Sequence, residues 1–228
     1  MNRLEKIFAS RQPALIMCDC CGAPDMQESL QRLNVLLDNG TDILDLYIPF
    51  SDPMVDDAAL RQASQQALAN GATLEKILDL LPVLRQQHPD CGLIISGYYN
   101  VFLQYKPDKL FAQLAAAGID GIHIIDLPWE ERSEVQIFCD QYNIPRLEMI
   151  AESTSAERSE QILRTAQGMV FFTQPEQLNQ LRKLTRLPLV LKNHPVSCGA
   201  DALEMTNAAA YKLNELPELV SSTVRTIV

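Results

Sequence analysis

Short apolar runs of strand length alternate with longer stretches in which apolar residues recur at helical spacing. That pattern is expected when parallel strands are each followed by a covering helix. The strand-like runs are Ala14 to Met17, Ile43 to Ile48, Leu93 to Ser96, Gly121 to Ile125, Leu147 to Ala151, Met169 to Phe172 and Pro188 to Leu191. Between them, Met26 to Leu37, Leu74 to Leu84 and Lys109 to Ala117 carry apolar residues at helical intervals, and these stripes read as packing faces. The alternation predicts an α/β fold.

A second regularity sits at the helix-to-strand junctions: Gly40-Thr41-Asp42, Gly118-Ile119-Asp120 and Gly199-Ala200-Asp201 each precede an apolar run, and Gly168 repeats the glycine alone. Glycine accepts the left-handed helix cap, and the aspartate is expected in a solvated turn. The third copy predicts an eighth strand near Ala202 to Met205. Only Asn193 to Asp201 separate it from the seventh, whereas a parallel crossover takes about a dozen residues or more. Either one covering helix is missing, or Ala200 to Leu213 is itself helical and the eighth strand is absent. Barrels of eight strand-helix units typically need about 250 residues, so a chain of 228 residues fits a (β/α)8 TIM-type barrel trimmed in its C-terminal third.

Composition narrows the partners. With 228 residues, 47% of them hydrophobic, one buried core and a single domain over 1–228 are expected. A formal net charge of -10 argues against nucleic acid and against an anionic membrane surface. Met1 to Gln12 carries Arg3, Glu5, Lys6 and Arg11 and reads as neither secretion signal nor membrane span, so a cytoplasmic location is expected. The six cysteines then read as reduced thiols. Cys18, Cys20 and Cys21 cluster, but zinc usually takes four ligands from more widely spaced pairs. Buried thiols are expected there, and no metal.

In a parallel barrel the functional groups lie at the carboxyl ends of the strands. Those ends offer Asp19 and Cys20, Asp45 and Tyr47, Tyr98 to Asn100, Asp126, Glu148 or Glu152, Thr173, and Lys192 with Asn193 and His194. Asp45 is unusual, being an acid inside an apolar run. Facing into a barrel mouth it would be partly desolvated, with its pKa raised into the range useful for proton transfer. Equally, it could pair with Lys192 or a backbone donor.

The segment Ile48-Pro49-Phe50-Ser51-Asp52-Pro53, with Asp56 three residues on, closely resembles the signature of the tryptophan synthase α-chain family. Gly22-Ala23-Pro24-Asp25, Gly97-Tyr98-Tyr99-Asn100, Asp126-Leu127-Pro128 and the opening Asn2-Arg3-Leu4-Glu5-Lys6-Ile7-Phe8 extend the likeness from Met1 to about Phe172. The resemblance implies retro-aldol cleavage of indole-3-glycerol phosphate into indole and glyceraldehyde 3-phosphate, with no cofactor on this chain and a pyridoxal-phosphate β-subunit-like protein as a possible partner. It implies Asp45 as the proton shuttle and Asp56 as the acid that supports the indole ring. Cys18, Tyr47, Tyr98, Asn100, Asp126, Phe171 and Lys192 become candidate substrate contacts.

Departures from that family are concentrated at the same positions. Asp45 is one methylene shorter than the family's glutamate, and a misplacement of roughly 1 Å can cost on the order of 100-fold in rate. Tyr47 and Asp57 replace glycines, Cys18 replaces an aromatic and Phe171 a tyrosine. Leu191-Lys192-Asn193-His194-Pro195 and Met205-Thr206-Asn207-Ala208 lack the glycines that let backbone amides cradle phosphate. The loop Gln174-Pro175-Glu176-Gln177 is short. Lys192 reads first as an exposed structural lysine, then as a point charge for phosphate or a Schiff-base former. Three functions stay open: a carbon-carbon lyase using Asp45 and Asp56; a different small-molecule enzyme built on Asp19, Cys20, Asp45, Tyr47, Lys192 and His194; or a non-catalytic regulatory partner of a pyridoxal-phosphate enzyme.

Overall fold

The computed structural model describes residues 2–10, 13–193, 199–205, 208 and 211–227. Among them, β1 (Ala14–Cys20), β2 (Ile43–Tyr47), β3 (Gly92–Gly97), β4 (Gly121–Ile124), β5 (Glu148–Ile150), β6 (Val170–Phe172), β7 (Leu189–Lys192) and β8 (Ala202–Met205) form one parallel sheet in the order β4-β3-β2-β1-β8-β7-β6-β5. A parallel bridge between Ile122 and Arg146 joins its two ends and closes the barrel. Helix α1 (Arg3–Ser10) precedes β1. Helices α2 (Met26–Asp38), α3 (Ala58–Ala69), α4 (Leu74–Leu78), α5 (Leu81–Gln87), α6 (Tyr99–Gln104), α7 (Pro107–Ala116), α8 (Ser133–Tyr142), α9 (Ala156–Thr165) and α10 (Leu178–Leu184) lie between strands, and α11 (Leu216–Ile227) follows β8.

Local sequence accounts for these elements. Asp25 caps α2, its carboxylate accepting from the amides of Gln27 and Glu28 at 2.9 Å each, and Leu33, Leu36 and Leu37 form the buried stripe. The helix expected from Leu74 to Leu84 is instead two short ones. Pro82 has no amide to donate and is tolerated only in a first turn, so it opens α5 rather than continuing α4.

Alternation along each strand divides the core in two. Leu15, Met17, Leu44, Leu46, Leu93 and Ile95 face outward and pack with the helices. Ile16, Ile43, Ile94, Phe171, Val190 and Ala202 face inward, together with Leu4 and Phe8 of α1, which plugs the amino-terminal end.

The eighth strand forms at Ala202–Met205, so the helical alternative for Ala200 to Leu213 does not hold. It pairs with β1 and β7. In the link 193–201 the described residues, 193 and 199–201, are not helical. Asn193 (φ 53°) and Gly199 (φ 89°) both take the left-handed conformation, turning the chain quickly at either end. The outer face of β7 and β8 is covered by its neighbours instead: Leu189, Leu191 and Leu203 share a cluster with Leu178 and Leu181 of α10 and with Leu216 and Leu219 of α11.

The junction aspartates are not merely solvated turn residues. Asp42 accepts the amide of Leu15 at 2.8 Å, Asp120 that of Leu93 at 2.9 Å, and Asp201 that of Leu189 at 2.7 Å. Each carboxylate therefore satisfies an amide at the foot of the preceding strand. Asp120 is also held by Arg85 at 2.8 Å and Arg3 at 3.2 Å. Replacing Asp120 by Ala leaves that strand amide without an acceptor and is expected to destabilise the fold by about 1–3 kcal/mol. Chemical denaturation measures it, and an unchanged midpoint would show the tie to be dispensable.

Candidate active site

Towards the carboxyl ends of the strands the inward positions change from apolar to polar. Cys18 on β1, Asp45 on β2, Ser96 on β3, His123 on β4, Lys192 on β7 and Glu204 on β8 all continue the inward face. Strand register sets their neighbours: Cys18 lies beside Asp45, and Lys192 beside Glu204. Ligand atoms of Cys18, Asp45 and Glu204 fall within 4.8 Å of one another. The Lys192 ammonium sits 2.7 Å from Glu204 Oε2 and 4.6 Å from the centre of the Phe171 ring. Ser96 Oγ donates to Asp45 Oδ2 at 2.8 Å.

A cavity of about 400 Å³ opens above this cluster. Cys18, Asp45, Ser96, His123 and Lys192 line its inner part, and Tyr47, Asp56, Asp57 and Val55 its mouth. Asp56 is fixed from two sides. The Tyr47 hydroxyl donates to its Oδ2, and the Tyr98 hydroxyl to its Oδ1 at 3.3 Å. Tyr98 is in turn stacked on Phe50, ring centres 4.8 Å apart. Tyr47, bulky where the resemblance expects glycine, thus leans on Asp56 and leaves the cavity open.

Proton affinities follow from this burial. Asp45 is fully buried, and desolvation raises its pKa well above the usual carboxylate range. Glu204 adds to the rise through charge and hydrogen bonding, against the opposing pull of Lys192 and Ser96. Glu204 stands close enough that a charge on Asp45 is disfavoured, so the protonated form of Asp45 is favoured. Burial raises Asp56 as well, opposed by the Tyr47 and Tyr98 hydroxyls. For Lys192, desolvation favours the neutral amine, but Glu204, Asp45 and Cys18 outweigh it and the pKa is raised. Burial, then Lys192 and Arg146, keep His123 neutral. Burial pushes the Cys18 thiol well up, and Asp45 and Glu204 reinforce it.

The expected site residues divide accordingly. Cys18, Asp45, Tyr47, Asp56 and Lys192 line one cavity; Tyr98 reaches it through Asp56, and Phe171 does not line it but packs against Lys192 and His123, which do. Asn100 and Asp126 do not line it. Asn100 is exposed on α6 and bonds Gln104. Asp126 is exposed and accepts the Tyr99 amide at 2.6 Å, holding the start of α6. Asp19 faces outward, paired with Arg32 at 2.8 Å, and Arg32 also donates to the carbonyls of Ala208 and Tyr211. Cys20 contacts Ser64 of α3 rather than the cavity. Lys192 is no exposed structural lysine: its side chain is 16% exposed and ion-paired inside the barrel. His194 lies outside the described residues.

Sequence reasoning missed Glu204, His123 and Ser96. Period-two alternation could have found the first two. In Gly121–Ile124 the apolar Ile122 and Ile124 claim the outer face and leave His123 inside, and Glu204 shares a face with Ala202. Cys18, Asp45 and Glu204 form the metal-capable group among the described residues. Lys192 already supplies positive charge there, and a metal ion would have to share Glu204 with it.

Comparison with known proteins places this geometry in a family. The profile of the tryptophan synthase alpha chain family matches residues 4–176. The tryptophan synthase alpha chain of Roseiflexus castenholzii is 34% identical over 210 residues, covering 84% of this chain and 80% of that protein. That of Coxiella burnetii (strain CbuK_Q154) is 34% identical over 205 residues, covering 83% and 79%. The solved structure of tryptophan synthase subunit alpha from Legionella pneumophila superposes with a TM-score of 0.91 at 27% identity, covering 100% of this chain and 98% of that one. A structure from Aquifex aeolicus VF5 gives 0.93 at 27% identity, with 100% and 99% covered. The barrel, the second-strand acid and the tyrosine-held loop acid are therefore those of a chain that belongs to the tryptophan synthase alpha chain family.

Proposed function

We propose that the chain is a carbon-carbon lyase that cleaves indole-3-glycerol phosphate or a related small molecule by a retro-aldol step, with Asp45 and Asp56 as the working carboxylates. The observation that carries this reading is that a fully buried Asp45 and a tyrosine-held Asp56 line the same cavity. Asp45 in its protonated form delivers a proton to the ring carbon as the bond to the side chain breaks. As a carboxylate it then takes up the proton released when the adjacent hydroxyl becomes an aldehyde, so substrate and enzyme balance without an added acid or base. Asp56 accepts the ring N–H, held in place by Tyr47 and Tyr98.

Charge favours a related molecule without phosphate. Among the described residues, Asp56 and Asp57 line the cavity together with the single cation Lys192, which Glu204 already engages. A phosphate dianion entering this space meets net negative charge at short range. A pyridoxal-phosphate β-subunit-like protein is the partner that family membership supports. Met54 and Val55, 78% and 68% exposed, offer apolar surface beside the mouth.

Purified protein supplied with indole-3-glycerol or its phosphate is expected to release indole, and Asp45→Asn to lower the rate by about 100- to 10,000-fold. No indole from either compound would remove this reading. Because the raised pKa of Asp45 keeps its acid form to higher pH, kcat/KM is expected to hold through the acid range. It should fall as pH rises through that pKa, a limb that Asp45→Asn abolishes and that a pH-rate profile records. Met54→Asp is expected to weaken association with a β-subunit by about tenfold, roughly 1.4 kcal/mol. Light scattering of the mixture checks this, and equal association of both forms would assign the apolar tip another role.

A further inference from the structure

Lys192 has no part in the retro-aldol step, yet it lines the cavity. A buried ammonium commonly serves as an anchor for anions, but Glu204 already neutralises this one at 2.7 Å. An anion bound here would have to displace that carboxylate. An uncharged carbonyl carbon meets no such barrier.

We propose that Lys192 is a carbonyl-capturing amine, forming an imine with a small uncharged aldehyde or ketone, with Glu204 as the acceptor of its proton and Asp45 as the acid that serves the carbonyl oxygen. The proposal shares its cavity with the retro-aldol reading and does not depend on it.

The geometry supplies each part. Lys192 lies at the carboxyl end of β7 and lines a cavity of about 400 Å³, space for a compound of a few carbon atoms. Its ammonium form dominates at neutral pH, so the free amine must be made locally, and Glu204 Oε2 at 2.7 Å is where the proton goes. The nitrogen lone pair then forms the N–C bond while the carbonyl π bond breaks, and the oxygen takes the proton held by Asp45. In the second half, Glu204 returns its proton to that oxygen, which leaves as water as the C=N bond forms. The carbinolamine nitrogen gives its surplus proton to Asp45. Overall, one ammonium and one carbonyl become one iminium and one water, and both carboxyl groups end as they began. The iminium keeps the charge of the ammonium, so the ion pair with Glu204 survives the reaction. Phe171, 4.6 Å away across its ring face, stabilises a cation at that nitrogen before and after.

Reductive trapping tests this with the full-length protein. D-glyceraldehyde or dihydroxyacetone is added with cyanoborohydride at neutral pH, and modified lysines are mapped by peptide mass spectrometry. Lys192 is expected to be alkylated faster than the exposed Lys109 and Lys212 by about tenfold or more. Glu204→Gln should slow labelling of Lys192 by about tenfold and leave the surface lysines unchanged. Should that variant fold poorly, the wild-type rate ratio still decides. Labelling of Lys192 no faster than of surface lysines overturns the proposal. So does strong suppression by inorganic phosphate, which would make the residue an anion anchor. Trapping is read whether or not indole is released, so failure of the imine and failure of the lyase are told apart.

Discussion

Two carboxylates and an ammonium shut inside a barrel constrain everything around them. Removing one partner of a buried ion pair commonly costs about 3–5 kcal/mol, because the survivor is left charged in a poor solvent. Lys192 and Glu204 therefore stand or fall together, and strand register keeps them together: they are direct neighbours across the β7–β8 ladder. Asp45 joins them with its pKa raised by burial and by Glu204, which favours its protonated form. The chemistry proposed for this chain, whether at a ring carbon or at a carbonyl, draws on that protonated acid.

The same constraint explains how the interior is layered. Below the charged cluster the inward positions are apolar and sealed by Leu4 and Phe8. Above it the cavity is rimmed by Asp56 and its two tyrosines. Charge is confined to one level, where it can be neutralised internally and still be reached through the mouth. His123, neutral and tilted against the Phe171 ring, lies at that level without adding to its charge.

Much of this was legible in the chain itself. Strand positions followed from the alternation of apolar runs, and the eighth strand from a recurring Gly-x-Asp junction, even though the link before it seemed too short. Asp45 and Asp56 were marked by their motif. What pattern alone did not reveal were pairings across the sheet. Glu204 sits in a short run, Ala202–Met205, that reads as a strand whatever its inward residue contacts. Its meaning appears only when β8 is set beside β7. Asp126 and Asn100 show the converse: polar residues after strand ends, in a familiar motif, that lie outside the cavity, Asp126 holding the start of α6 and Asn100 bonding Gln104 within it. Asp19 was misjudged because the strand has two faces, and its neighbour Arg32 approaches from the outer one.

The closure between β4 and β5 carries a consequence of its own. Elsewhere around the barrel adjacent strands share three to five paired residues, but here one bridge, Ile122 to Arg146, does the joining. The wall is thinnest at this seam, and His123 lies next to it. Local opening is expected first at this seam, which would give solvent a side door to the barrel's charged level that bypasses the mouth.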